Sequence, residues 1–199
     1  MSRPGDDWTC CPRCGSALAR VERGGVPRPW CAACDFVFFL NPGVGAAVVI
    51  RDRAGRVLLV ERAPGHFAAG RWCFPCGYVE WGEDVRAAAA REALEEAGVV
   101  VKIGEPLQVA SNFHEPEKPT IGTWFAAELL DPDAVPSAGD DASAVGWFDP
   151  AAPPLLAFPT DAALLTRLAQ SAAVSTTSAP SAAASAGVRK RANRRSRAR

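Results

Sequence analysis

Three glutamates, Glu92, Glu95 and Glu96, lie within five consecutive residues near the middle of this 199-residue chain. The stretch 84–97 around them contains four successive alanines and is followed by Gly98, which predicts a helix with a glycine stop. Offsets of three and four residues place the carboxylates within an arc of roughly 100° on one helix face. Like charges this close repel unless solvent or divalent cations separate them. The stretch therefore predicts either a solvated charged face or a metal-binding face.

Four cysteines near the start of the chain form two C-x-x-C pairs with sixteen residues between them: Cys11, Cys14, Cys31 and Cys34. This spacing is typical of a ribbon in which four thiolates bind one structural Zn²⁺ tetrahedrally. A module of about 35 residues is too small to be held by an apolar core, so metal binding is expected to supply most of its folding free energy. The alternative is two unrelated thiol pairs.

Composition and charge indicate a globular body with a basic end. Hydrophobic residues make up 48% of the chain, but no apolar run approaches the roughly 18 residues needed to cross a bilayer, so no membrane partner is expected. Seven of the 22 basic residues lie in 188–199, which contains no acid, so the remainder is acidic. Nucleic-acid contact by this segment is a less favoured alternative to a solvated tail. Asp6 and Asp7 stand where a signal peptide would be apolar, which predicts a cytoplasmic protein.

Short apolar segments alternate with turn-rich stretches in the rest of the chain, a pattern that predicts a mixed sheet in an α+β fold. The expected strands are 44–50, 57–60, 72–74, 99–103, 107–110, 123–130 and 145–148, and a second amphipathic helix is expected at 154–169. Beyond Gln170 the chain is rich in alanine and serine and then basic, which predicts disorder. The predicted domains are a zinc ribbon at 1–40, a main domain at 41–170 and a disordered tail at 171–199.

The stretch from Gly77 to Val99 resembles the Nudix box, G-x5-E-x7-R-E-U-x-E-E-x-G-U, where U is a bulky aliphatic residue. Only Ala93, at the first U, departs from it. The ribbon followed by Phe39-Leu-Asn-Pro42, and the segment Leu156-Ala-Phe-Pro-Thr-Asp161, resemble the zinc-ribbon branch of the same family. This resemblance covers 11–169 and implies a Nudix α/β/α sandwich that hydrolyses the diphosphate of a nucleoside diphosphate linked to another moiety. FAD, ADP-ribose and NADH are the candidate substrates.

The resemblance also implies how the site binds metal. Glu92, Glu95 and Glu96 would hold Mg²⁺ or Mn²⁺, with one glutamate left to deprotonate or orient water. A backbone carbonyl of Cys76 or Gly77 would be a further ligand. A nucleotide-derived small molecule is the expected partner, and a homodimer is left open.

Several residues near the glutamates are candidates for supporting the site or for acting as the base, and each has an alternative interpretation. Arg91 is expected to hold Glu83 in an ion pair that fixes the loop against the helix, the alternative being a surface salt bridge of little effect. Asp140 and Asp141 could complete the metal shell or act as base, and a polar turn is an equally good interpretation. Cys73 forms a third C-x-x-C with Cys76, for which packing is a simpler interpretation than redox or metal chemistry.

Four aromatic residues are candidates for stacking on a base, although core packing is the default for each: Trp72, Trp81, Phe113 and Trp124. His66 and His114 are the only histidines, and neither belongs to a cluster of metal ligands. For His114 a loop that faces the substrate is plausible, although a lone surface histidine is the commoner case. The alternative to an enzyme is a nucleotide-sensing or nucleic-acid-binding protein without hydrolysis. The intact glutamates count against that alternative.

Overall fold

The computed structural model describes residues 8–177, which begin with a small antiparallel hairpin. Strand β1 (Ala19–Arg23) pairs with β2 (Val26–Trp30). Gly24 and Gly25 connect them with φ angles of 62° and 73°. A two-residue turn of type I′ requires positive φ at both positions, which glycine adopts without steric cost. The hairpin lies between the two C-x-x-C pairs in the sequence.

Two sheets form the main domain. The first is a four-stranded mixed sheet in the order β6-β3-β8-β7, made of β3 (Gly43–Ile50), β6 (Cys76–Tyr78), β7 (Val101–Asn112) and β8 (Thr120–Leu129). Strands β3 and β8 are parallel and the other pairs are antiparallel. The second sheet has the order β5-β4-β9, made of β4 (Val57–Arg62), β5 (Trp72–Cys73) and β9 (Ala142–Phe148). The predicted mixed sheet is confirmed, and a second antiparallel sheet accompanies it.

Helix α1 (Val85–Ala97) agrees with its predicted range within one residue and ends at the predicted glycine. The Asp84 side chain accepts hydrogen bonds from the backbone N–H groups of Arg86 and Ala87, and Gly98 ends the helix at φ 65°. These contacts satisfy donors and acceptors that a helix end leaves without partners. The buried face is made largely of alanines, and Ala93 is fully buried within it. A small residue at the first aliphatic position of the box therefore suits a helix that packs closely on the sheet.

The core has two layers, one on each side of the sheets. Val48, Ile50 and Phe125 belong to the layer that includes the alanine face of α1. Leu164 and Leu165 of helix α2 (Pro159–Thr177) belong to the other layer. Burial of both sheet faces by helices produces the predicted α/β/α sandwich. No helix within residues 8–177 is long and apolar enough to span a bilayer.

Helix α2 begins later and ends later than expected. Residues 154–158 are not helical, and Leu156 forms a bridge to Trp72 beside β5. Proline disfavours helical geometry in the residue before it but fits the first helical turn, so the helix begins at Pro159. The helix then continues to Thr177, so it extends into the first residues of the predicted tail. Its alanines favour continuation of a helix whose start is anchored by packing. Residues 178–199 of the expected tail lie outside the described residues.

Strand β7 also differs from its prediction, because 101–112 form one long strand where two were expected. The register with β8 shifts on both sides of Pro106. A β-bulge accommodates a proline, which lacks the N–H that the ladder needs. The polar interruption that suggested a turn is therefore an irregularity inside a strand.

Candidate active site and zinc ribbon

The four ribbon thiols converge as the spacing predicts. The Sγ atoms of Cys11, Cys14, Cys31 and Cys34 all lie within 4.8 Å of one another. The distance from Cys11 Sγ to Cys34 Sγ is 3.7 Å, and that from Cys14 Sγ to Cys31 Sγ is 3.5 Å. Four sulfurs bound tetrahedrally at about 2.3 Å from one Zn²⁺ would be about 3.8 Å apart, whereas a disulfide would bring two sulfurs to about 2.0 Å. The thiol geometry fits a zinc ion and not disulfide pairing.

Both C-x-x-C turns have the same backbone pattern. The N–H of Cys11 donates to the Ser16 carbonyl at 2.8 Å, and the N–H of Cys31 donates to the Phe36 carbonyl at 2.8 Å. The residue after the second cysteine of each pair adopts positive φ, 74° at Gly15 and 52° at Asp35. The repeated turn orients two thiols from each loop toward one point.

We expect one tightly bound Zn²⁺ per chain, and Cys31→Ser should lose most of it, because a hydroxyl is a poor zinc ligand and Cys31 is fully buried in the thiol group. Elemental analysis and limited proteolysis of the ribbon would measure the loss. Cys10→Ser is the matched control, since Cys10 is exposed and outside the thiol group. Full zinc content in Cys31→Ser would contradict the assignment.

Helix α1 presents its three glutamates to different environments. Glu92 and Glu96 are buried, at 8% and 5% exposure, whereas the Glu95 side chain is 41% exposed. Desolvation raises the pKa of Glu96 to about 8, against the opposing hydrogen bond from the Cys76 N–H, and the nearby Glu92 charge adds to the rise. Desolvation also raises the pKa of Glu92, while Arg91 opposes the rise. Burial therefore disfavours the ionised forms of both carboxylates, and a bound cation would favour them.

Arg91 binds four groups at once. Its Nε and Nη2 donate to the two oxygens of Glu83 at 2.9 and 3.0 Å, and Nη2 also donates to the Tyr78 carbonyl at 3.0 Å. The Nη1 group donates to Glu92 Oε1 at 2.6 Å and to Glu95 Oε2 at 2.8 Å. The expected ion pair with Glu83 is present, and it lowers the pKa of that carboxyl. The two contacts to box glutamates are additional and make Arg91 a direct neighbour of the carboxylate face.

The β6 loop approaches the glutamate helix closely at two points. The Cys76 N–H donates to Glu96 Oε2 at 2.8 Å. At the next residue, a Cβ built on Gly77 would overlap the carboxylate of Glu92. Only glycine therefore leaves room for Glu92 in this arrangement. A metal-ligand role for the carbonyls of Cys76 and Gly77 stays a prediction.

The glutamate face fits hard divalent cations by its chemistry, because ionised carboxylates supply the oxygen ligands that Mg²⁺ and Mn²⁺ prefer. The space that Gly77 leaves for Glu92 keeps one of these ligands against the loop. The three carboxylates converge less closely than the thiols do. Within residues 8–177, only the four ribbon cysteines form a group of three or more His, Cys, Asp or Glu residues whose ligand atoms all lie within 4.8 Å of one another.

A cavity of about 360 Å³ opens beside this face, and its lining includes Arg91 and all three glutamates. Asp140 and Asp141 also line it, and Asp141 Oδ1 lies 3.3 Å from His66 Nε2. The structure therefore brings the two aspartates to the same cavity as the box. Their role as base or ligand stays a prediction.

The aromatic candidates are distributed differently from what the sequence suggested. Trp81 is fully exposed and Phe113 is 72% exposed, and neither lines the cavity. Trp72 packs edge-on against Phe148, with ring centroids 4.7 Å apart. Of the four candidates only Trp124 lines the cavity.

Sequence reasoning missed two cavity-lining aromatic residues, Phe67 and Phe158. His114 also lines the cavity, in line with the less common of its two predicted positions, a loop that faces the substrate. Phe67 and Phe158 lie in connections without periodicity, so no pattern identified them. The only local signal was that Phe158 belongs to the segment 156–161, which resembles the zinc-ribbon branch.

Asp161 is a buried carboxyl that sequence reasoning also passed over. It is 1% exposed and accepts hydrogen bonds from the Trp124 indole at 2.8 Å and from the Phe74 N–H at 3.2 Å. Desolvation raises its pKa to about 7, while these hydrogen bonds oppose the rise. The side chain joins the first turn of α2 to the cavity lining and to the end of β5.

Comparisons with known proteins identify the family and the fold. A sequence profile described as the NUDIX domain matches residues 41–168, and the chain belongs to the Nudix family. The fold is similar to the crystal structure of a Nudix hydrolase from Nitrosomonas europaea, with a TM-score of 0.70 and 29% identity over 82% of this chain and 91% of that one. The resemblance found in the sequence is therefore confirmed.

Two curated relatives have more specific names. The NAD-capped RNA hydrolase NudC of Chromobacterium violaceum is 36% identical over 149 residues, which cover 75% of this chain and 53% of the relative. The ADP-ribose pyrophosphatase of Methanocaldococcus jannaschii is 33% identical over 121 residues, which cover 60% of this chain and 69% of the relative. The chain thus spans about half the length of the NudC protein that it matches.

Proposed function

We propose that this chain is a pyrophosphohydrolase that uses Mg²⁺ or Mn²⁺ to cleave the diphosphate of a nucleoside diphosphate linked to a second moiety. ADP-ribose, NADH and FAD are the substrates to consider. The observation that carries the proposal is the carboxylate face of Glu92, Glu95 and Glu96 at one cavity, with Gly77 leaving room for Glu92. The names of the two curated relatives support a diphosphate-linked nucleotide.

The chemistry follows from the charge of the substrate. A diphosphate repels an attacking hydroxide, so the site needs positive charge near the phosphoryl oxygens and an acceptor for the proton of water. Divalent cations held by the glutamates would supply that positive charge. Arg91 keeps Glu92 and Glu95 in position through its Nη1 group. The proton acceptor is one of the glutamates, or Asp140 or Asp141 at the same cavity.

The direct test is hydrolysis of a substrate panel by purified protein with Mg²⁺. We expect release of AMP from at least one of ADP-ribose, NADH and FAD, measured by chromatography, at a higher kcat/KM than any hydrolysis of ATP. Reaction in ¹⁸O-labelled water should place the label on a phosphate of the product. Nucleotide binding without turnover of any substrate would contradict the proposal and support a non-catalytic nucleotide-binding protein.

A cytoplasmic location and a homodimer stay predictions.

A further inference from the structure

Three aromatic rings from separate connections meet in the cavity: Phe67 from the connection between β4 and β5, His114 from the one after β7, and Phe158 from the one before α2. The rings of Phe67 and Phe158 are nearly parallel, with an interplanar angle of 7° and centroids 6.3 Å apart. The His114 ring lies 5.1 Å from Phe67 and 4.8 Å from Phe158. We call these three residues the ring cluster.

The ring cluster offers an uncharged flat surface inside a polar cavity. Phe67 is 40% exposed although it is a large apolar residue. Burial and the charge of Arg62 lower the pKa of His114, against the opposing Glu115 carboxylate, so its imidazole is neutral at pH 7. Exposed aromatic faces in a concave site are suited to stacking on planar ligands.

Arg62 lies against the ring cluster. Its Nε donates to the Phe67 carbonyl at 2.6 Å, and its Cζ lies 5.2 Å from the centre of the Phe158 ring. Burial raises the pKa of Glu96, and the positive charge of Arg62 offsets part of that rise. Among the residues that the structure describes, no carboxylate forms an ion pair with it within 4.0 Å. The guanidinium therefore faces the same cavity, has no carboxylate partner within residues 8–177, and lies near both the rings and the glutamate face.

We propose that the ring cluster binds the base of the substrate and that Arg62 binds a phosphate oxygen beside it, an inference that rests on the proposed hydrolysis of a diphosphate. The glutamates then act on the phosphate that the bound nucleoside carries. This arrangement selects nucleotides over diphosphates that carry only a sugar or a lipid. Stacking of a base on an aromatic side chain changes affinity by about tenfold or more.

The test compares AMP with ribose 5-phosphate, which has the same phosphate and sugar but no base. Calorimetry with Mg²⁺ present should show tighter binding of AMP by wild-type protein. Phe158→Leu, which keeps an apolar side chain but removes the ring, should weaken AMP binding about tenfold and leave ribose 5-phosphate unchanged. With a turned-over nucleotide, the same variant should raise KM more than it lowers kcat. Arg62→Gln should weaken both ligands.

Phe113→Leu is the matched control, because Phe113 is an exposed aromatic next to His114 and lies outside the cavity. It should bind both ligands as wild type does. Because Phe158 also packs against the core, its variant needs a thermal unfolding measurement, and His114→Leu provides a second variant if Phe158→Leu unfolds. The expected result for His114→Leu is the same selective loss of AMP affinity.

Two results would overturn the base site: AMP binding no tighter than ribose 5-phosphate in wild type, or folded Phe158→Leu and His114→Leu proteins with unchanged AMP affinity. These results are independent of turnover. If the protein binds AMP more tightly than ribose 5-phosphate, loses that difference in the ring variants, and hydrolyses no substrate, the proposed function alone is refuted. A protein that hydrolyses a dinucleotide without this preference would refute the base site alone.

Discussion

Replacing Glu96 by glutamine should lower kcat by roughly 10²- to 10⁴-fold, the range associated with loss of a group that transfers a proton. The amide keeps nearly the same shape, and its carbonyl oxygen can still accept the hydrogen bond from the Cys76 N–H. It loses the negative charge that would bind a cation or accept a proton from water. Steady-state kinetics on the best substrate, repeated over a range of Mg²⁺ concentrations, would measure the effect.

The same substitution should leave the fold intact. Burial raises the pKa of Glu96 to about 8, so the ionised form is disfavoured in the folded, metal-free protein and a neutral amide removes a desolvation penalty. The thermal midpoint without metal should therefore not fall. Glu105→Gln, at an exposed position of β7 outside the cavity, is the control and should retain full activity. Full turnover by Glu96→Gln with unchanged Mg²⁺ dependence would contradict the assigned role.

Replacing Gly77 by alanine should lower activity by about 10²-fold, because a new Cβ would overlap the carboxylate of Glu92 and one of them must move. Displacement by about 1 Å at such a site can cost this much in rate. Circular dichroism should show an intact fold, since the strain is local to the β6 loop. Kinetics and a Mg²⁺ titration would measure the loss.

Gly45→Ala is the comparison for Gly77→Ala. Gly45 lies on the neighbouring strand β3, and a Cβ there would meet only the Gly77 carbonyl oxygen, at an ordinary 3.5 Å. Its loss of activity should be clearly smaller. Equal activity of Gly77→Ala and wild type would show that Glu92 tolerates displacement or does not act in the reaction.

The features that the sequence predicted best are those encoded by neighbouring residues. Helix α1 was predicted almost to the residue, because Asp84 and Gly98 cap it through contacts within one turn. The thiol group was predicted because each C-x-x-C turn is local and zinc chemistry restricts how two such turns combine. The resemblance to the Nudix family then predicted the α/β/α arrangement.

The features that sequence reasoning missed depend on contacts between distant segments. The contacts of Arg91 with Glu92 and Glu95 are the exception, because they join neighbours on α1 and depend on side-chain placement that the box pattern does not specify. Asp161 ends the segment that resembles the zinc-ribbon branch, but its burial follows from the docking of α2 against Trp124, which the sequence does not show. The late start of α2 reflects Pro159 and the backbone contacts of 155–157 with Trp72 of β5, which compete with helix formation.

The ring cluster has a consequence for how proteins built like this one diverge. Its rings lie in three connections between elements, whereas the glutamates lie on one capped helix. Connecting segments tolerate substitution and insertion far better than packed helices do. Mutations in those segments can therefore change which molecule is held without disturbing the carboxylates of α1. A lineage can in this way acquire a new substrate while inheriting its hydrolytic chemistry unchanged.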